Sequence, residues 1–137
     1  MKTEYVVRSL KDLEICARDF ANACPNACFL ALHGNLGVGK TAFVKCLGNV
    51  WGIDNVRSPS FDIMHIHDGI RRLIHVDAYR LKQETLDAFG LDDLCVPPFC
   101  LAVEWPECLQ PGTIAFQQHL FFSVLPNGYR RIAVEFS

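Results

Sequence analysis

Short runs of consecutive apolar residues alternate along this chain with segments whose apolar positions recur every three or four residues, the pattern of buried strands separated by helices. Tyr5-Val6-Val7 opens as a strand. Ser9 then stands where a helix cap belongs, with Asp12 three residues on, and Leu10, Leu13, Ala17, Phe20 and Ala21 supply an apolar stripe that runs until Pro25. Cys28-Phe29-Leu30-Ala31-Leu32 reads as a fully covered strand, and Ala42-Phe43-Val44-Lys45-Cys46-Leu47 as a second helix that ends between Gly48 and Gly52. After a connection at residues 53–56, Ile63 to His67 and Arg72 to Val76 flank Asp68-Gly69 and predict a β-hairpin. A helix from about Gln83 to Leu94, interrupted by Gly90 and stopped by Pro97-Pro98, precedes the apolar strand Phe99-Cys100-Leu101-Ala102-Val103. A second hairpin closes the pattern, His119 to Leu125 and Tyr129 to Phe136, turning at Pro126-Asn127-Gly128. Strand and helix alternate without repeats, low-complexity tracts or linkers, so residues 1–137 read as a single α/β domain.

Between the buried strand and the second helix lies Gly34-Asn35-Leu36-Gly37-Val38-Gly39-Lys40-Thr41, a complete G-x-x-x-x-G-K-[ST] phosphate-binding loop in its proper strand–loop–helix context. The glycines let backbone N–H groups approach a phosphate unobstructed, and the helix beginning there adds its positive end. Asn35, Leu36, Gly37, Val38, Gly39, Lys40, Thr41 and Ala42 are therefore the candidate cradle. Lys40 is expected to reach the β and γ phosphates and the Thr41 hydroxyl to hold Mg²⁺, which makes a nucleoside triphosphate the ligand to expect.

Three further pieces fit around such a ligand. Glu104, in Val103-Glu104-Trp105, ends an apolar strand where a Walker-B acid stands beside the loop; the plainer reading is an exposed glutamate at a strand end. Asp77, in Val76-Asp77-Ala78-Tyr79-Arg80, ends another strand, and it either polarises the attacking water, binds the metal through water, or caps a helix. Ser58 and Ser60, in Ser58-Pro59-Ser60-Phe61, occupy the place of a switch segment that senses the γ-phosphate, or else a plain Ser-Pro turn.

Composition narrows the classes. Half of the residues are hydrophobic, the formal net charge is −2, and no basic run exceeds Arg71-Arg72, which argues against a chain that grips nucleic acid alone. No segment is long and apolar enough to span a bilayer, and Met1-Lys2-Thr3-Glu4 leads straight into the first strand, so a soluble cytoplasmic protein is expected. Seven cysteines, an odd number with no C-x-x-C, read as small buried hydrophobes. His65, His67 and His75 lack a carboxylate or cysteine at ligand spacing and read as strand-edge or core polar groups rather than a metal site.

Taken in order, the phosphate loop, Ser58-Pro59-Ser60-Phe61, His75-Val76-Asp77-Ala78-Tyr79-Arg80-Leu81, Gly90-Leu91 and Val103-Glu104-Trp105-Pro106-Glu107 resemble the TsaE (YjeE) family nearly end to end. The loop is common to many families; its combination with the other elements is specific. The resemblance implies a three-layer P-loop NTPase-like fold with a mostly parallel, mixed sheet, and ATP with Mg²⁺ as ligand. It implies Thr41 and Glu104 at the metal, Asp77 and Glu104 in hydrolysis, and Trp105 near the nucleotide. It also brings an arginine bordering the nucleotide, Arg131 or its neighbour Arg130. The activity implied is an ATPase in the threonylcarbamoylation of adenosine 37 in tRNAs that read codons beginning with A, working with TsaD and TsaB and meeting tRNA only through them. Asn35 for the family's aspartate and Ser60 for its threonine depart from the pattern, Ser60 keeping the hydroxyl. The other classes are a nucleotide-gated binding module with incidental hydrolysis and a small kinase, the latter lacking an insert for a lid. A GTPase lacks its Asn-Lys-x-Asp motif.

Overall fold

The computed structural model describes residues 2–56, 63–81 and 90–136. Ser58, Ser60 and most of the helix expected from Gln83 lie outside that range.

Seven strands form one sheet: β1 (Glu4–Val7), β2 (Ala27–His33), β3 (Met64–His67), β4 (Arg72–Asp77), β5 (Phe99–Glu104), β6 (Gln118–Val124) and β7 (Arg130–Phe136). Their order is β1-β7-β6-β2-β5-β4-β3. The four central strands β6, β2, β5 and β4 run parallel, and β1, β7 and β3 join antiparallel at the flanks. From β2 the chain goes first to one side of the sheet, through β5, and later to the other, through β6. That makes the carboxyl end of β2 a switch point, where open α/β sheets bind ligands.

Helices α1 (Leu10–Ala23) and α2 (Lys40–Val50) cover one face. Ser9 caps α1 by accepting the Asp12 N–H, as its sequence position requires. The apolar stripe differs from the expected one: Leu10 is 64% exposed, Ala21 is only partly buried, and the buried set is Leu13, Cys16, Ala17 and Phe20. Those four obey the i, i+3, i+4, i+7 spacing of one helix face, which Leu10 extends by only one turn. Phe20 meets Phe43 of α2 edge to face, with ring centroids 6.0 Å apart, and Phe43 meets Phe122 of β6 in the same way at 5.9 Å, so the two helices are locked to each other and to the sheet.

On the second face, Phe99, Leu101 and Val103 of β5 and Ile74 and Val76 of β4 pack with Leu81, Trp105, Leu109, Ile114 and Phe116. Among the described residues this layer is made of loops, two 3₁₀ turns and the short helix α3 (Leu91–Leu94). Because β5 is covered on both faces, all six of its residues are buried, which accounts for its unbroken apolar run. All seven cysteines are free; Cys16, Cys28, Cys46 and Cys100 are buried, Cys24 and Cys95 partly so, and Cys108 is exposed. His65 and His67 lie on β3, at the sheet's edge.

Candidate functional site

The loop after β2 turns into α2 through Gly39, which holds φ at 109° in the left-handed region where side chains are strained. Among the described residues no side chain caps α2, so its first N–H groups and the helix dipole offer a site for anionic oxygen. Val38 anchors the loop by burying its side chain in the core, while Asn35 and Leu36 are exposed.

Lys40, the first residue of α2, is buried yet satisfied. Its Nζ donates to the Gly34 carbonyl at 2.6 Å and lies 3.9 Å from the centre of the Trp105 ring. Burial pulls its ammonium below the usual lysine value, against the opposing charges of Glu104, Glu107 and Asp77. Trp105 is held there by an unusual backbone: its φ of 58° places it in the left-handed region, a strain of about 1–3 kcal/mol of the kind that gathers at working sites.

Thr41 and Glu104 meet across the sheet. Register pairs Leu32 of β2 with Glu104 of β5, so the carboxylate rises beside the loop that follows β2, and the Thr41 hydroxyl donates to it at 3.1 Å from Oε2 and 3.3 Å from Oε1. Two oxygens on adjacent corners of an Mg²⁺ octahedron, with bonds of 2.0–2.1 Å, stand about 2.9 Å apart, so this pair fits that ion with little adjustment. The plainer alternative of an exposed glutamate at a strand end does not hold: Glu104 is only 7% exposed. Burial works to raise its carboxyl, but hydrogen bonds from His75 and Thr41 and the charges of His75 and Lys40 outweigh that and keep it below the ordinary glutamate value.

His75 is the residue whose importance the sequence does not announce. It is fully buried on β4, and its Nε2 lies 2.6 Å from Glu104 Oε2. Asp77, two residues on and in register with Glu104, both caps and faces the cavity: Oδ1 accepts the Tyr79 N–H at 3.1 Å while Oδ2 lies 3.5 Å from Arg80 Nε. The helix-cap reading and the site reading are therefore compatible. A cavity of about 370 Å³ gathers Leu36, Gly37, Gly39, Lys40, Thr41, Ala42, Asp77, Glu104 and Trp105, together with Arg80, for which the motif alone gave no role. Arg131 does not join them. It lies on β7 and grips Glu4 of β1 through two contacts of 2.8 Å, while Arg130 donates to the Gly128 carbonyl.

Free helix N–H groups, an ammonium, and a hydroxyl–carboxylate pair in one cavity suit a polyphosphate with a divalent cation. Among the described residues no cluster of three or more His, Cys, Asp or Glu is arranged to hold a metal ion.

Comparison with known proteins decides the lineage. The family model described as threonylcarbamoyl adenosine biosynthesis protein TsaE matches residues 7–132. The chain belongs to the TsaE family. Among relatives, the tRNA threonylcarbamoyladenosine biosynthesis protein TsaE of Aquifex aeolicus is 29% identical over 96% of this chain and 94% of its own length. The TsaE protein of Borreliella burgdorferi is 31% identical over 73% of this chain and 75% of its own. The crystal structure of YdiB from Bacillus subtilis superposes with a TM-score of 0.71 at 25% identity, covering 98% of this chain and 85% of that one. The mixed seven-stranded sheet with its loop at the carboxyl end of β2 is thus the P-loop fold of the TsaE family.

Proposed function

We propose that this chain is a Mg²⁺-dependent ATPase that serves threonylcarbamoyladenosine synthesis at position 37 of tRNAs reading codons that begin with A, its hydrolysis resetting a TsaD–TsaB transferase between rounds. The observation that carries the chemical part is the Thr41–Glu104 contact beside Lys40 and the uncapped start of α2. The biological part is supported by membership of the TsaE family. With net charge −2 and no basic run, the chain leaves the tRNA to its partners.

In this reading the N–H groups of Gly37 to Ala42 and the Lys40 ammonium bind the phosphates, Lys40 exchanging the Gly34 carbonyl for phosphate oxygen. Thr41 and Glu104 would hold Mg²⁺, which would supply charge neutralisation to the polyphosphate. Asp77 orients a water through Oδ2, the oxygen that faces Arg80 at 3.5 Å, while Oδ1 stays on the Tyr79 N–H. The water oxygen bonds to the γ-phosphorus as the bond to the β–γ bridging oxygen breaks; ADP leaves with that oxygen, and the water's proton passes to Asp77 or to the departing phosphate. Arg80, beside Asp77 in the cavity, is placed to face the charge that develops.

Phosphate release from ATP, measured with and without purified TsaD and TsaB, tests the proposal. The partners should accelerate release. Asp77→Asn should lower the stimulated rate by roughly 10²-fold or more, the range of a lost general base, and Glu104→Gln should lose turnover more than nucleotide binding. Nucleotide binding without stimulated release would leave a nucleotide-gated binding module instead.

A further inference from the structure

The mechanism just described uses Glu104 and leaves its buried neighbour unexplained. His75 projects from β4 on the same face as Asp77 and Glu104, one strand away from the carboxylate it touches. A carboxylate only accepts, so the hydrogen in the 2.6 Å contact belongs to His75 Nε2. Its other nitrogen, Nδ1, is buried and has no hydrogen-bond partner among the described residues. Among the described residues the imidazole therefore makes its one polar contact on Glu104. Glu104 Oε2 is thereby held from the β4 side by His75 and from the α2 side by Thr41, in a residue that is only 7% exposed.

We propose that His75 is a positioning residue: by donating from Nε2 it holds the Glu104 carboxylate against Thr41 at the spacing a divalent cation bound with nucleotide requires. The inference rests on the Mg²⁺-dependent reading above. It assigns His75 no contact with nucleotide or metal, so its effect must pass entirely through Glu104.

Calorimetric binding of ADP, with Mg²⁺ and with EDTA, tests this without turnover. In the wild-type protein Mg²⁺ should tighten ADP binding. His75→Phe, which keeps the ring and removes the donor, should lose on the order of tenfold of that enhancement, the lower range for a lost partner of a metal ligand, while its affinity in EDTA stays unchanged. His75→Gln, whose amide N–H falls near the position of Nε2, should keep the enhancement; His75→Asn, whose shorter amide falls near Nδ1, should lose it. Added to Glu104→Gln, His75→Phe should change nothing further. Should His75→Phe not fold, the Gln and Asn pair decides alone. An undiminished Mg²⁺ effect in His75→Phe or His75→Asn, or additive losses with Glu104→Gln, overturns the role of His75 alone. A wild-type protein indifferent to Mg²⁺ overturns the functional reading and this role with it.

Discussion

Lys40 is held in two ways before any ligand arrives, by the Gly34 carbonyl and by the Trp105 ring. Both partners are weaker acceptors than a phosphate oxygen, so the ammonium is stored close to where the proposed nucleotide would claim it. Lys40→Ala should therefore cost ATP affinity about ten- to hundredfold by calorimetry, the equivalent of one charge-assisted contact of roughly 1.5–3 kcal/mol. Cys16 gives a second residue-scale test. Burial first, then the Asp19 and Cys46 charges, push its thiol from 9.0 up to about 12. The folded state thus refuses an ionisation that the unfolded chain allows. The Cys16 contribution to stability is whole below about pH 9 and drains away as pH rises from there toward about 12. Urea midpoints between pH 8 and 10.5 should fall less steeply in Cys16→Ala than in the unsubstituted chain. At this scale the cavity gathers Lys40, Thr41, Asp77 and Glu104, each of which the sequence marks by a fixed offset from a local signal. The sequence concealed the His75 contact, made between residues 29 apart on adjacent strands, and the Glu4 engagement of Arg131 across 127.

Elements were legible where their cause is local. The Ser9 cap, the unbroken apolar run of β5 and the glycine-rich entry to α2 each follow from adjacent residues, and the structure has all three. The Asp68-Gly69 hairpin is also present, but its glycine serves a different purpose from the one such pairs usually mark. Gly69 is not among the residues with positive φ, so no left-handed turn demands it. Instead, a Cβ there would stand 2.3 Å from the Trp51 carbonyl oxygen at the end of α2, against which Ile70 N–H bonds at 2.8 Å. The β3–β4 turn is thus docked backbone to backbone on that helix end, an arrangement no local pattern reveals. Gly69→Ala should destabilise the protein by about 1–3 kcal/mol, the usual cost of forcing an atom into a packed site, read as a lower urea midpoint at unchanged slope. A neutral effect would mean that the turn can lift from Trp51 at no cost.

At the scale of the molecule, alternation of strand and helix gave the α/β class and the phosphate loop gave the ligand end of the sheet. Strand order was beyond reach, because the neighbours of β2 are β5 and β6, from much later in the chain. That order has a consequence for how the molecule opens. The strands that carry Glu104 and lead into Thr41 are the two innermost of the parallel core, whereas β1 and β3 form the rims. Local opening starts where a strand has one neighbour and little cover. In deuterium exchange the backbone amides of residues 100–103 should therefore be the last to be labelled, and those of Met64–His67 on the rim among the first of the strand amides. If the two sets were labelled together, the sheet would be opening as one unit. With the expected order of labelling, the rims fray and re-form many times while the Thr41–Glu104 pair stays assembled, as repeated turnover of the proposed nucleotide requires.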